Sequence, residues 1–162
     1  MNILIIRSTS IQHLALVIRR VSSLYPGARI DVLAHPHSVE SVKQMSGVNS
    51  IITYPSASDF SPFAIGDFPR NSYPLVVVPV SNMSGAGYEN VLLLALRFRK
   101  RQIVMCNKNG EVISLPLKKI LERALWRFAS IPLAVFAAVA IASANMILLG
   151  ILQIARHGSK QN

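Results

Sequence analysis

Short apolar runs and longer periodic stretches alternate along the first hundred residues. Residues 2–7, NILIIR, are a branched-apolar run ending at a polar loop, as in a strand buried on both faces. In 12–25, QHLALVIRRVSSLY, Leu14, Val17, Ile18, Val21 and Leu24 recur at spacings of three and four. That places them on one face of a helix, with Arg19, Arg20 and Ser23 facing away and Pro26-Gly27 as the stop. ARIDVLA, 28–34, predicts a second strand that leaves through His35-Pro36-His37. A short helix over SVESVKQM follows, with Ser38 as its cap and Gly47 as its end. NSIITY, 49–54, predicts a third strand, and 55–72, rich in Pro, Ser, Asp and Phe, a loop. LVVVPV, 75–80, predicts a fourth strand with Pro79 marking its end. The loop SNMSGAG then opens a helix over YENVLLLALRFRK, and QIVMC, 102–106, is the fifth strand. A turn at 107–110 leads to EVISL, which reads as a short strand beyond it.

Strands and helices in alternation imply a parallel sheet covered on both faces. The expected fold is therefore α/β, with residues 1–114 forming a single Rossmann-like domain.

The pattern changes after residue 115. PLKKILERALWR, 116–127, is amphipathic: Leu117, Ile120, Leu121, Ala124 and Leu125 form one face, and Lys118, Lys119, Glu122 and Arg123 the other. Two readings stand for the 115–127 segment, a helix lying in a membrane interface and a helix packed on its own domain. In the first, Lys118, Lys119, Arg123, Trp126 and Arg127 meet lipid headgroups. From Phe128 to Ala155 no residue carries a formal charge. About 18–20 such residues are enough to suggest a span, so 128–155 is expected to be one transmembrane helix and 156–162 a short tail. Its length from Pro132, roughly 36 Å as a helix, crosses a bilayer with tilt. Ala134, Ala138 and Ala142 repeat at four, a spacing that lets helices pack closely, and the amide of Asn145 would seek an interhelical partner.

Composition sharpens this picture. The chain is 51% hydrophobic and only 15% charged, and the run at 128–155 is the reason. The formal charge of +10 is uneven: residues 1–96 hold six Lys/Arg against five Asp/Glu, and 97–127 hold nine against two. Basicity beside an apolar run favours anionic lipid headgroups over nucleic acid. Lys118, Lys119, Arg123 and Arg127 precede the run and Arg156 and Lys160 follow it, which leaves the N-terminal domain cytoplasmic. A single cysteine, Cys106, excludes an internal disulfide.

ILIIRSTSIQH, followed by LALVIRRVSSLYPGARIDVLAHP, resembles the N-terminal half of ADP-heptose:lipopolysaccharide heptosyltransferases, glycosyltransferases of the two-domain GT-B type. The likeness continues through VNSIITYP and YPLVVVPVSNMSGAGYENVLLLAL, covering roughly 2–106. It implies a Rossmann-like domain facing an acceptor, in a bacterial inner membrane setting. The chain departs from that family at two points. Gln12-His13 stands where the family has Gly-Asp, whose aspartate is the acceptor-activating base. The second domain, which carries most of the nucleotide-sugar site, is replaced by the apolar run.

Several residues follow as candidates. Ser8, Thr9 and Ser10 form the first strand's exit loop, and His13 is either a base in place of the aspartate or a residue that lines the loop. Ser84, Gly85 and Gly87 open a helix and either hold a phosphate or make a plain turn. His35 and His37, with His13, lack a carboxylate or thiolate partner, so no metal and no cofactor is expected. The expected function is a non-catalytic, membrane-anchored glycosyltransferase-like subunit, with lipids and other membrane subunits as partners. The alternative is the acceptor-binding half of a split glycosyltransferase, whose nucleotide-sugar domain is a separate chain.

Overall fold

The computed structural model describes residues 1–66 and 73–127. The chain divides into two units, Met1–Ala124 and Leu125–Asn162. In the first, the strands are β1 (Asn2–Ile6), β2 (Arg29–Ala34), β3 (Ser50–Thr53), β4 (Tyr73–Pro79), β5 (Arg99–Cys106) and β6 (Val112–Ser114). The helices are α1 (Ile11–Leu24), α2 (Val39–Lys43) after a 3-10 turn at Pro36–Ser38, and α3 (Glu89–Ala95). A last helix, α4, covers 117–127.

The six strands form one sheet in the order β3-β2-β1-β4-β5-β6. All neighbours are parallel except β6, which runs antiparallel along the edge of β5. The expected parallel α/β sheet is present, with one antiparallel edge strand added. β1 lies between β2 and β4, with Ile3 opposite Ile30 and Leu75, and Ile5 opposite Val32 and Val77.

Alternation along each strand divides the core in two. Ile3, Ile5, Val32 and Val77 pack against Leu14, Val17, Ile18 and Val21 of α1 and Val42 of α2. Leu4, Ile6, Leu33 and Val76 point to the other face, which is covered by Leu92 and Phe98, by Tyr54 and Phe60, and by Ile120 of α4. Near the start of the strands, Asp31 of β2 accepts from the Tyr73 hydroxyl of β4 at 2.9 Å and from Asn49 Nδ2 at 2.8 Å. This buried network joins β2 and β4 past the central β1.

The structure differs from the expected elements in three places. The helix predicted over 88–100 stops after Ala95, and β5 begins at Arg99. Phe98 leaves the helical path to enter the core, and Arg99 pairs with Tyr73. β4 correspondingly begins at Tyr73, with Pro74 accommodated at a register irregularity between Tyr73 and Leu75. The apolar face predicted for 116–127 divides. Ile120 and Ala124 are buried, whereas Leu117 and Leu121 are exposed. Among the described residues no helix is long and apolar enough to cross a membrane. The expected span at 128–155, with Ala134, Ala138, Ala142 and Asn145, lies outside the described residues.

Candidate functional site

Because β1, β2, β3, β4 and β5 are mutually parallel, the segments that follow them leave from one edge of the sheet. Ligands in such sheets bind at that edge, where the connections diverge. β1 continues to β2 through α1 on one face, and β4 continues to β5 through α3 on the other. The divergence therefore lies between the ends of β1 and β4, flanked by 7–10 and 80–88.

The β1 loop is drawn onto β4 by Ser8, whose hydroxyl donates to Pro79 O at 2.5 Å and to Ile6 O at 3.3 Å. Ser10 caps α1: its backbone is extended and its hydroxyl accepts from His13 N at 3.3 Å. Two of the three predicted hydroxyls are therefore committed to the fold. Arg7 Nε, Thr9 Oγ1 and His13 Nε2 are buried and have no hydrogen-bonding partner. Burial also pulls the Arg7 guanidinium below its ordinary value. A buried polar atom left without a partner costs about 1–3 kcal/mol. Three of them within seven residues mark this loop as the unsatisfied part of the edge. Neither 7–10 nor 80–88 contains an Asp or Glu.

The second predicted group, Ser84, Gly85 and Gly87, spends its amides internally. Gly85 N donates to Asn82 Oδ1 at 2.5 Å, Ala86 N to Ser84 Oγ at 3.3 Å, and Gly87 N to Glu89 Oε1 at 3.2 Å. Gly85 has φ +74, and a Cβ there would collide with the Met105 sulfur. The glycine serves close packing over β5. A carboxylate, Glu89, already occupies the amide of Gly87, so this turn offers no free nest to a phosphate. Ser84 O accepts from Arg123 Nη1 at 2.8 Å, which ties α4 to the same turn.

His35 is buried and its Nδ1 lies 3.0 Å from Ser56 O. A carbonyl only accepts, so Nδ1 carries the proton. The ring contacts Phe60 at 4.1 Å, meets Tyr54 edge-on at 5.0 Å and stacks with exposed His37 at 5.5 Å. His35 is a core histidine that closes the β3 loop over the sheet. No group of metal-ligating side chains forms among the described residues.

Sequence reasoning missed Arg7, which it read only as the end of the first strand. It also missed an open groove of about 460 Å³ between α1 and the β5–β6 turn, lined by Leu16, Arg19, Arg20, Ser23, Asn109 and Glu111. The turn is shaped by buried Asn107, whose Oδ1 accepts from the amides of Asn109 and Glu111. Lys118, Lys119, Trp126 and Arg127 are exposed, while Arg123 is half-buried against the turn it holds.

No family model, curated protein or solved structure matches the chain.

Proposed function

We propose that the chain is a non-catalytic, glycosyltransferase-like subunit held on the cytoplasmic face of a bacterial inner membrane and serving a larger membrane assembly. The observation that carries this reading is the chemistry of the crevice. A glycosyl acceptor needs a base beside its hydroxyl; segments 7–10 and 80–88 contribute no carboxylate, and the adjoining Glu89 is buried and bonded to the Gly87 amide. The glycine turn, the other candidate, keeps its amides for itself. The charge-free run at 128–155 and the basic residues before it support the membrane setting.

A second reading, the acceptor-binding half of a split glycosyltransferase, is favoured by one observation. Arg7, Thr9 and His13 hold unpartnered polar atoms on the edge where an acceptor would lie. The unassisted chain still lacks a second domain to hold a donor in attack geometry, a contribution of about 7–11 kcal/mol.

The test is carbonate extraction of one membrane sample and, from a second sample not exposed to carbonate, purification of the full chain in mild detergent. The chain should remain in the membrane pellet, co-purify with integral membrane subunits and transfer no sugar from a panel of nucleotide sugars to lipid-linked acceptors. Co-purification with a soluble nucleotide-sugar-binding chain would establish the split enzyme instead. Turnover by the chain alone, abolished in His13→Ala, would overturn both readings.

A further inference from the structure

The segment after β3 holds two large apolar side chains out in solvent. Phe63 is 81% exposed and Ile65 98%. A lone exposed hydrophobe means little. These two stand on a segment whose backbone is fixed from several sides. Ser61 N donates to the Tyr54 hydroxyl at 2.8 Å, and Phe63 N donates to Ser61 Oγ at 3.2 Å. Arg97, two residues past the end of α3, donates to Ala64 O at 2.7 Å and to Pro62 O at 3.5 Å. Phe60 is buried in the core beside Tyr54, and Gly66 sits so close to Pro55 that a Cβ would collide with its ring. The base of the segment is anchored while its two apolar tips project.

Tyr54, Phe60 and Ala64 belong to the same face of the sheet as Ile120 of α4. On α4 itself, Leu117 and Leu121 are exposed, with Lys118 and Lys119 adjacent in sequence. We propose that Phe63 and Ile65 insert at the headgroup–acyl boundary of the membrane, giving the domain a second attachment besides its C-terminal run. The inference rests on the membrane setting proposed above. A protein partner fits less well: a stable interface covers about 800 Å² per partner, and two projecting tips offer a fraction of that. A bilayer asks for no matching concavity, only apolar tips on a preorganised base. The segment carries two acids in sequence, Asp59 before the buried anchor Phe60 and Asp67 two positions beyond Ile65.

The test uses the full chain in vesicles of phosphatidylcholine and phosphatidylglycerol. Cys106, the chain's one cysteine, is replaced by Ser, and a polarity-sensitive fluorophore is attached at Phe63→Cys or, as a reference, at exposed Ala57→Cys. Flotation reports anchoring independently of the probe. The expected result is a chain that floats, with a blue-shifted emission at position 63 that brominated acyl chains quench, and an aqueous, unquenched emission at position 57. A chain that floats with position 63 as aqueous as position 57 overturns the inference and leaves the anchoring intact. A chain that fails to float overturns the anchoring and the inference with it. A shift at position 63 that requires an added protein assigns the tips to that protein and overturns insertion. If Cys106→Ser does not fold, Phe63→Trp in a Trp126→Phe background reads the same insertion through intrinsic fluorescence.

Discussion

Thr9 carries a buried hydroxyl oxygen with no hydrogen-bonding partner. Replacing it with the isosteric apolar side chain in Thr9→Val removes a desolvation cost and adds a methyl group. Urea denaturation should show a gain of about 1 kcal/mol, and a loss would show that the hydroxyl is bonded in the native domain. Cys106 behaves differently. It is fully buried at the end of β5, and burial raises its thiol above the ordinary value of 9.0, with Arg20 opposing. The native state therefore holds the thiol proton more tightly than the unfolded state. This contribution to stability is complete below pH 9.0 and is lost as the pH climbs through the raised native value. Stability measured from pH 8 upward should fall more steeply in the native sequence than in Cys106→Ala. At this scale the sequence disclosed residue types and little of their surroundings. Ser8, Thr9 and Ser10 look alike in a string, yet one bridges two strands, one is orphaned and one caps a helix. Only the approach of Pro79, some seventy residues along the chain, separates Ser8 from Thr9.

Among the elements, α1 is the one the sequence specified most fully. Its apolar spacing predicted 12–25, and Ile11–Leu24 formed, because a helix packed by one face has the period of that face written into it. α3 and α4 were less legible for opposite reasons. Nothing in LRFRK stops a helix; α3 ends because Phe98 gains burial and β5 gains pairing with β4. α4 has an apolar face wider than the surface it covers, and only the fold shows which residues dock. Ile120→Ala should cost about 2–5 kcal/mol, as for other buried aliphatic truncations. Arg123→Ala should cost about 1 kcal/mol for the lost bond to Ser84 O. Leu117→Ser and Leu121→Ser, both exposed, should change stability by less than about 0.5 kcal/mol. Thermal or urea unfolding of these four variants checks the ranking, and equal losses at Leu121 and Ile120 would refute the docking of α4.

Across the whole molecule, the parallel sheet and the shared edge of its loops were readable from alternation alone, because buried parallel strands require covering helices on both faces; the strand order was not. The contact of Asp31 with Tyr73 and Asn49 was not, since it joins residues that come together only once β1 lies between their strands. Tyr73→Phe deprives a buried carboxylate of a donor and should cost about 1–3 kcal/mol, read as a lower denaturation midpoint with an unchanged denaturant dependence. A midpoint equal to that of the native chain would mean that Asp31 is satisfied without Tyr73.

The place of β1 in the sheet also governs how the chain is made. β1 leaves the ribosome before the other described strands and ends up inside the sheet, yet its second neighbour, β4, follows ~70 residues later, several seconds at ordinary rates of synthesis. As that interval proceeds β2 and then β3 become able to pair, while the other side of β1 offers unpaired amides and carbonyls to any passing strand. A translational pause after Thr53 and before Tyr73 prolongs that exposure, and each nascent chain held there is open to aggregation along the edge that β4 was meant to fill.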